Sequence, residues 1–245
     1  MALVNSWERQ GNFLFKYRGQ FPVILFVLSV PFLYFTESIN ESSIVYWNYT
    51  ALLVSVLGFL IRFYTIGTTP KGTSGRNTKE QIADYLNSTG IYSLVRHPLY
   101  LGNYLIWIGI AIFTYNIYFI IIVSLLFWIY YERIMFAEER FLEKKFGDEY
   151  LNWSNGIAAF IPSFSSFTKT IIPLSLKSIL RREYAGLLAT VIGFAFIDVV
   201  RLYFTTGILN VTELMLQILL VTVVLVVVLR SLKHYTSVLE EKDRS

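Results

Sequence analysis

The sequence predicts an all-α protein, a polytopic membrane helix bundle of about six transmembrane helices with a cytoplasmic amphipathic helix. Three observations predict it. Of the 245 residues, 55% are hydrophobic and only 16% charged, against roughly 25% charged in an ordinary soluble domain, which makes lipid the solvent. Six runs are apolar all round, at 21–35, 46–66, 99–115, 117–135, 184–204 and 214–229, and crossing the hydrocarbon takes roughly 20 such residues. Of the 21 Lys and Arg, all but Arg201 then fall on one side or at its boundary, the side that the positive-inside rule assigns to the cytoplasm.

The elements follow in order. Residues 1–19 carry Glu8, Arg9, Lys16 and Arg18 among aromatics, without a short apolar core and a small-residue cleavage site, so a removable signal peptide is not expected. The first apolar run is short and holds Pro22 and Pro31; the third is interrupted by Gly102 and Gly109. Only Tyr115 and Asn116 separate the third run from the fourth, which predicts a tight helical hairpin. On the Lys/Arg-rich side, 67–89 is rich in Gly, Thr, Ser and Asn and reads as a polar loop with Lys71, Arg76 and Lys79. After the fourth run, Phe141, Leu142, Phe146, Tyr150 and Trp153 recur at roughly helical spacing with charges between them, an amphipathic helix over 138–153 that Gly156 and Pro162 end. Residues 163–182 read as an interfacial linker. Three units result: an N-terminal membrane hairpin (1–66), a core (67–162), and a linker with a C-terminal membrane hairpin (163–245), with both termini and the polar cluster facing the cytoplasm.

Cysteine is absent, which excludes disulfides, iron–sulfur clusters and thiolate metal sites. Two histidines, His97 and His234, argue against an imidazole metal cage. Neither a metal nor a nucleic acid is an expected partner; the bilayer and a lipid-borne molecule are.

Two polar clusters stand out. In 90–104, Pro98 suits the first turn of a helix, where its missing N–H is harmless, so Arg96 and His97 sit at that helix's positive end, where a carboxylate is stabilised. The plainer reading has Arg96 snorkelling to headgroups and His97 capping the helix. The second cluster is Tyr130-Tyr131-Glu132-Arg133 followed by Glu138-Glu139-Arg140. Adjacent carboxylates repel and are costly to bury, so alone they read as a solvated face. The hairpin changes that: it returns Arg133, Glu138 and Glu139 beside Arg96, His97 and Tyr100, and two distant clusters become one pocket.

Gly90, Tyr92, Arg96-His97-Pro98-Leu99-Tyr100-Leu101-Gly102 and Glu138-Glu139, followed by Leu142, Phe146-Gly147, Tyr150 and Pro162, resemble the isoprenylcysteine carboxyl methyltransferase and phospholipid methyltransferase superfamily over about 73–162, under half of the chain. The resemblance implies S-adenosylmethionine as cofactor. It implies a cofactor site of Tyr92, His97, Pro98, Leu99 and Tyr100 with Glu138 at the polar end, to which Gly102, Asn103 and Glu139 are added. The family's substrate-facing arginine lies just before the carboxylates, and Arg133 is the nearest candidate. Arg133 and Arg96 are the expected catalytic residues; Arg133, Lys71 and Arg76 are the expected acceptor contacts.

The cations near the site, Lys71, Arg76, Lys79 and Arg133, favour an anionic lipid-borne acceptor, a carboxylate or phosphate oxygen, over an amine that must first lose a proton. Two other classes compete. A nicotinamide-dependent, sterol-reductase-like enzyme would be longer with more spans. A non-catalytic membrane protein or transporter would carry polar residues within its spans, and only Asp198 and Arg201, at i and i+3, qualify; a local ion pair is their simpler explanation. The stretch Lys71-Gly72-Thr73-Ser74-Gly75-Arg76 lacks the Gly-Lys-Ser/Thr ending of a phosphate-binding loop and the strand before it.

Overall fold

The computed structural model describes residues 2–20, 22–36, 40–73, 81–242 and 244. Among these the chain forms eight α-helices and no strand: α1 (Leu3–Lys16), α2 (Val23–Phe35), α3 (Glu41–Gly67), α4 (Pro98–Ile112), α5 (Ile117–Phe146), α6 (Asp148–Ser154), α7 (Leu176–Thr206) and α8 (Glu213–Tyr235). Their starts are written locally. The side chains of Asn40, Asn116 and Ser175 accept hydrogen bonds from the N–H of Ser43, Phe119 and Ser178 at 2.8, 3.1 and 3.1 Å, satisfying donors that the first turn leaves open.

The span count differs from six. Four helices, α3, α5, α7 and α8, are long and apolar enough to cross a membrane; α2 and α4 have 13 and 15 residues, about 20 and 22 Å at 1.5 Å per residue, short of roughly 30 Å of hydrocarbon. Because α3 and α5 point the same way, α4 returns the chain between them through a turn at 113–116, where Tyr115 adopts a positive φ of 60°. Outward faces of the long helices stay apolar and exposed, for example Leu53, Ile129, Ile192 and Val224, as lipid-facing surfaces do.

The glycines that interrupt the third apolar run are what let α4 lie against α3. A Cβ on Gly58 would come within 2.6 Å of the Gly102 carbonyl oxygen, and one on Gly102 within 2.6 Å of Arg62 Cγ. Ala51, Ser55 and Gly58 thus form a small-residue stripe on α3 that faces Gly102 and Gly109, the close packing that lipid favours because hydrophobic burial gives no driving force there.

Three further expectations change. The stretch 138–153 is not a separate amphipathic helix: its first part continues α5 to Phe146, and Gly147, at φ 54°, turns the chain into the short α6. The fifth apolar run begins earlier than expected, since α7 starts at Leu176, and Lys177, Arg181, Arg182 and Glu183 lie on its first two turns rather than in a linker. Finally, 3–16 is a helix lying on α5, with Trp7 edge-on to Phe136 at 5.6 Å, a Lys144–Glu8 ion pair, and Gly11 against the Arg133 carbonyl. The Asp198–Arg201 pair is structural. Asp198 accepts from the N–H of Thr212, just before α8, while Arg201 donates to the Phe113 carbonyl at 2.8 Å and stacks on Phe113 and Tyr115.

Candidate functional site

The end of the bundle where α3 and α5 finish and α4 and α7 begin encloses a cavity of about 340 Å³, within the roughly 300–1,000 Å³ of small-molecule sites. Its wall draws on distant parts of the chain: Phe15 and Arg18 by α1, Arg62 and Ile66 of α3, the loop 81–87, the stretch 92–103, Tyr131 and Glu138 of α5, Tyr150 and Trp153 of α6, and Arg182 and Glu183 of α7.

The stretch before α4 is fixed by backbone pairing. A 3-10 turn at Gly90–Ser93 is followed by residues whose main chain bonds to the segment after α6: Arg96 N–H to Ala158 O (2.9 Å), His97 N–H to Ala159 O (3.2 Å) and Ser163 N–H to Leu94 O (3.0 Å). Pro98 at the first helical position needs no partner for a donor it lacks. Arg96 and His97 are therefore aimed by a paired backbone rather than by a free loop.

Opposite them stands the α5 carboxylate pair. His97 Nε2 meets Glu139 Oε1 at 2.8 Å and Nδ1 meets Glu138 Oε2 at 3.6 Å, with the imidazole 5% exposed. Arg96 Nε lies 3.3 Å from the same Glu139 oxygen. Burial by itself pushes the His97 pKa down, but hydrogen bonds and charge from Glu138 and Glu139 prevail and hold it above its ordinary value. Burial, with the Glu138 charge, pushes the Tyr92 hydroxyl well up, so it stays a protonated donor. Aromatic rings continue from the wall into the bundle: His97 stacks with Tyr100 at 5.6 Å, Tyr100 packs on Tyr131 at 4.9 Å, and Tyr131 on the buried Phe127 at 4.0 Å.

Of the residues singled out by sequence, Tyr92, Arg96, His97, Pro98, Leu99, Tyr100, Asn103 and Glu138 all line this cavity, and Glu139 holds His97 and Arg96 from behind. Gly102 is not among the lining residues; it sits at the α3–α4 crossing. Arg133 is also absent from the wall, its guanidinium lying 3.5 Å above the Trp7 ring and 3.2 Å from Glu132. Lys71 is exposed on the loop after α3. Arg76 lies outside the described residues.

Several lining residues, Arg62 and Glu183 among them, are not singled out by the sequence motifs. Arg62 donates to both oxygens of Glu183, each at 2.7 Å, and to Asn103 Oδ1 at 2.5 Å; Asn103 in turn donates to the Tyr131 hydroxyl at 3.3 Å. This chain of bonds crosses from α7 through α3 and α4 to α5 along the cavity floor. No local spacing joins Arg62 to a residue 121 positions away; a charge inside an apolar run was the one available signal.

The fold and the site define an integral-membrane helical protein with a charged, aromatic-lined cavity at one end of its bundle. Residues 46–149 match the family model described as phospholipid methyltransferase. Protein-S-isoprenylcysteine O-methyltransferase of Schizosaccharomyces pombe is 25% identical over 127 residues, covering 49% of this chain and 54% of that protein. Its namesake in Saccharomyces cerevisiae is 32% identical over 85 residues, 35% of this chain and 36% of the other. The nickel-cobalt-cadmium resistance protein NccN of Alcaligenes xylosoxydans xylosoxydans is 32% identical over 94 residues, 38% and 41% of the two chains. The chain thus spans about half the length of these relatives or less. No solved structure gives a significant match. Residues 46–149, under half of the chain, are thus similar to the phospholipid methyltransferase family, and overlapping stretches to protein-S-isoprenylcysteine O-methyltransferases.

Proposed function

We propose that the protein is an integral-membrane methyltransferase that moves the methyl group of S-adenosylmethionine to a lipid or lipid-modified acceptor, at an anionic carboxylate or phosphate oxygen, with its site and termini on the cytoplasmic side. The observation that carries this reading is the meeting of His97 with Glu138 and Glu139 at 3.6 and 2.8 Å inside one cavity, from two motifs some 40 residues apart.

The residues suit that cofactor. Glu138 is a carboxylate on the wall for an ammonium group; Arg96 and the N-terminus of α4 suit a carboxylate. The buried indole N–H of Trp153 has no partner among the described residues and so offers a donor to a bound ring or hydroxyl. When bound, the cofactor supplies a methyl group on a sulfonium, so that an acceptor oxygen–carbon bond replaces the sulfur–carbon bond and the sulfur leaves as a neutral thioether. The protein's own part is placement: His97 locks the two carboxylates, Tyr92 stays neutral, and the packed rings of Tyr100 and Tyr131 on the wall exclude water. An acceptor that is already an anion needs no general base.

The test is transfer of labelled methyl from S-adenosylmethionine in membranes containing the protein, with lipids and lipid-modified peptides separated afterwards. Label on a carboxylate or phosphate ester is expected. Label found only on phosphatidylethanolamine would overturn the anionic assignment, and no label, with no cofactor binding by the purified protein, would overturn methyl transfer itself.

A further inference from the structure

Between α6 and α7 the chain runs as a segment whose exposed side chains are mostly large and apolar. Ile161, Phe164, Phe167, Ile171, Leu174 and Leu176 are all more than half exposed, Phe164 at 80% and Ile171 at 97%. Apart from the three-residue 3-10 turn Phe164–Ser166, residues 155–175 form no helix. Their backbone polar groups need partners elsewhere, and the stretch 90–97 supplies several. Ala158 O and Ala159 O accept from the N–H of Arg96 and His97, and Thr168 O accepts from that of Gly90 at 2.8 Å. In return, the N–H groups of Ser163 and Thr168 donate to Leu94 O and Ser93 Oγ at 3.0 and 2.9 Å. The segment is thus the backing against which Arg96 and His97 are aimed.

A run of exposed apolar groups marks a membrane or a protein partner, and the surroundings decide between them. Phe160, just before the run, packs edge-on against the exposed Trp128 of α5 at 5.7 Å. At the other end, Leu176 and Leu180 carry the run onto the exposed surface of α7. Both helices are long and apolar enough to cross a membrane, so the run is continuous with the lipid-facing surface of the bundle. Irregular backbone exposed within the hydrocarbon would lose its hydrogen bonds, which leaves the headgroup boundary. Charge narrows the lipid further. Residues 156–180 hold Lys169 and Lys177 and no Asp or Glu; both lysines are exposed, and neither has an ion-pair partner among the described residues. The carboxylates that approach from the C-terminal residues are engaged elsewhere, Glu241 by the Ser175 hydroxyl and Glu240 by Arg181 at 3.8 Å. Lysines beside exposed apolar groups suit an anionic lipid surface, to which each cation adds about fivefold in affinity.

We infer that 161–177 is an in-plane membrane anchor selective for anionic lipids. Phe164, Phe167 and Ile171 enter the boundary between headgroups and acyl chains, and Lys169 and Lys177 meet lipid phosphate or carboxylate groups. Because the segment's backbone bonds to 90–97, its seating also steadies the main chain of Arg96 and His97. Neither part depends on what the cavity binds.

The chain has no native cysteine, so a polarity-sensitive thiol dye can be placed at Ile171→Cys, Val224→Cys or Glu149→Cys in the purified full chain, one copy per lipid nanodisc. Val224 lies in the apolar length of α8 and Glu149 on α6, and both are exposed. The quenchers are aqueous iodide and nitroxides carried at a shallow or a deep acyl position of phosphatidylcholine or phosphatidylserine. The dye at I171C is expected to resist iodide as at V224C, and to be quenched more by the shallow nitroxide than by the deep one, the reverse of V224C. Shallow-labelled phosphatidylserine is expected to match the quenching of phosphatidylcholine at about fivefold lower content. Lys169→Gln with Lys177→Gln is expected to abolish that preference and keep the depth. Iodide access at I171C equal to that at E149C would overturn the anchor in favour of a docking surface for a second copy or another protein. Equal quenching by the two lipids in wild type would overturn the anionic selectivity. The link to the site is read by amide hydrogen exchange at Arg96 and His97, expected to be about tenfold faster in Phe164→Ser with Ile171→Ser than in wild type; unchanged exchange would overturn it. If that variant does not fold, wild type in discs with and without phosphatidylserine carries the same comparison, with slower exchange expected in the anionic discs and equal exchange counting against the link.

Discussion

A carboxylate oxygen faces each ring nitrogen of His97, an arrangement that favours its protonated form. Its folded pKa lies above the ordinary value, roughly 6.5, so its contribution to stability is complete below that value and is lost as pH rises through the raised one. Thermal unfolding in detergent is expected to fall over that window and to flatten in His97→Ala. Glu139→Gln removes the nearer charge, so the fall is expected to begin at lower pH; a midpoint that stays in place would show that the carboxylate does not hold the proton. The residues of this cluster were legible because they are local strings, Arg-His-Pro and Glu-Glu, joined by a hairpin visible in the hydropathy. Which carboxylate meets which nitrogen was not legible, since that depends on the rotation of α5, and neither was Arg18, which has no pattern around it.

Among the elements, α3 carries two devices. The first is its small-residue face. Gly58→Leu places a side chain where even a Cβ comes within 2.6 Å of the Gly102 carbonyl oxygen; overpacking of this kind costs about 1–3 kcal/mol, and both thermal stability and cofactor binding are expected to fall because α4 carries His97. The second is Arg62. Glu183→Ala leaves its guanidinium largely buried without its carboxylate, a loss of about 3–5 kcal/mol by analogy with buried ion pairs. The double change Arg62→Met with Glu183→Leu is expected to recover most of that stability, measured by unfolding, while Asn103 and Tyr131 lose their anchor and turnover stays low. Full recovery of turnover would make the network a packing feature only. The sequence delivered the long spans and the hairpin. It misplaced the start of α7, because Lys177, Arg181, Arg182 and Glu183 broke the apolar run that marks a span although they continue the helix. It also divided α5 from its amphipathic extension, where the change from lipid-facing to cavity-facing residues looks like an element boundary and is only a change of solvent.

At the scale of the whole molecule, the two ends of the bundle have different work. The end opposite the cavity is closed by Arg201 on the Phe113 carbonyl and its flanking rings; Arg201→Ala is expected to lower stability by about 1.5–3 kcal/mol, as loss of a hydrogen bond to a charged group does, and to leave cofactor affinity unchanged. The chain has no native cysteine, so orientation can be read from single cysteines at Thr73 and Ile208: an impermeant thiol reagent is expected to reach Thr73 only from the cytoplasmic face and Ile208 only from the other. The reverse labelling would leave the site facing away from any cytoplasmic cofactor. The most direct measurement is the equilibrium binding of S-adenosylmethionine to the purified protein, beside a nicotinamide dinucleotide and beside the Glu138→Gln and Arg201→Ala variants. Saturable binding of S-adenosylmethionine alone, weakened about tenfold or more by E138Q and untouched by R201A, is the expected result; absence of binding, or equal binding in E138Q, would contradict the assignment of this cavity as a methyl-donor site.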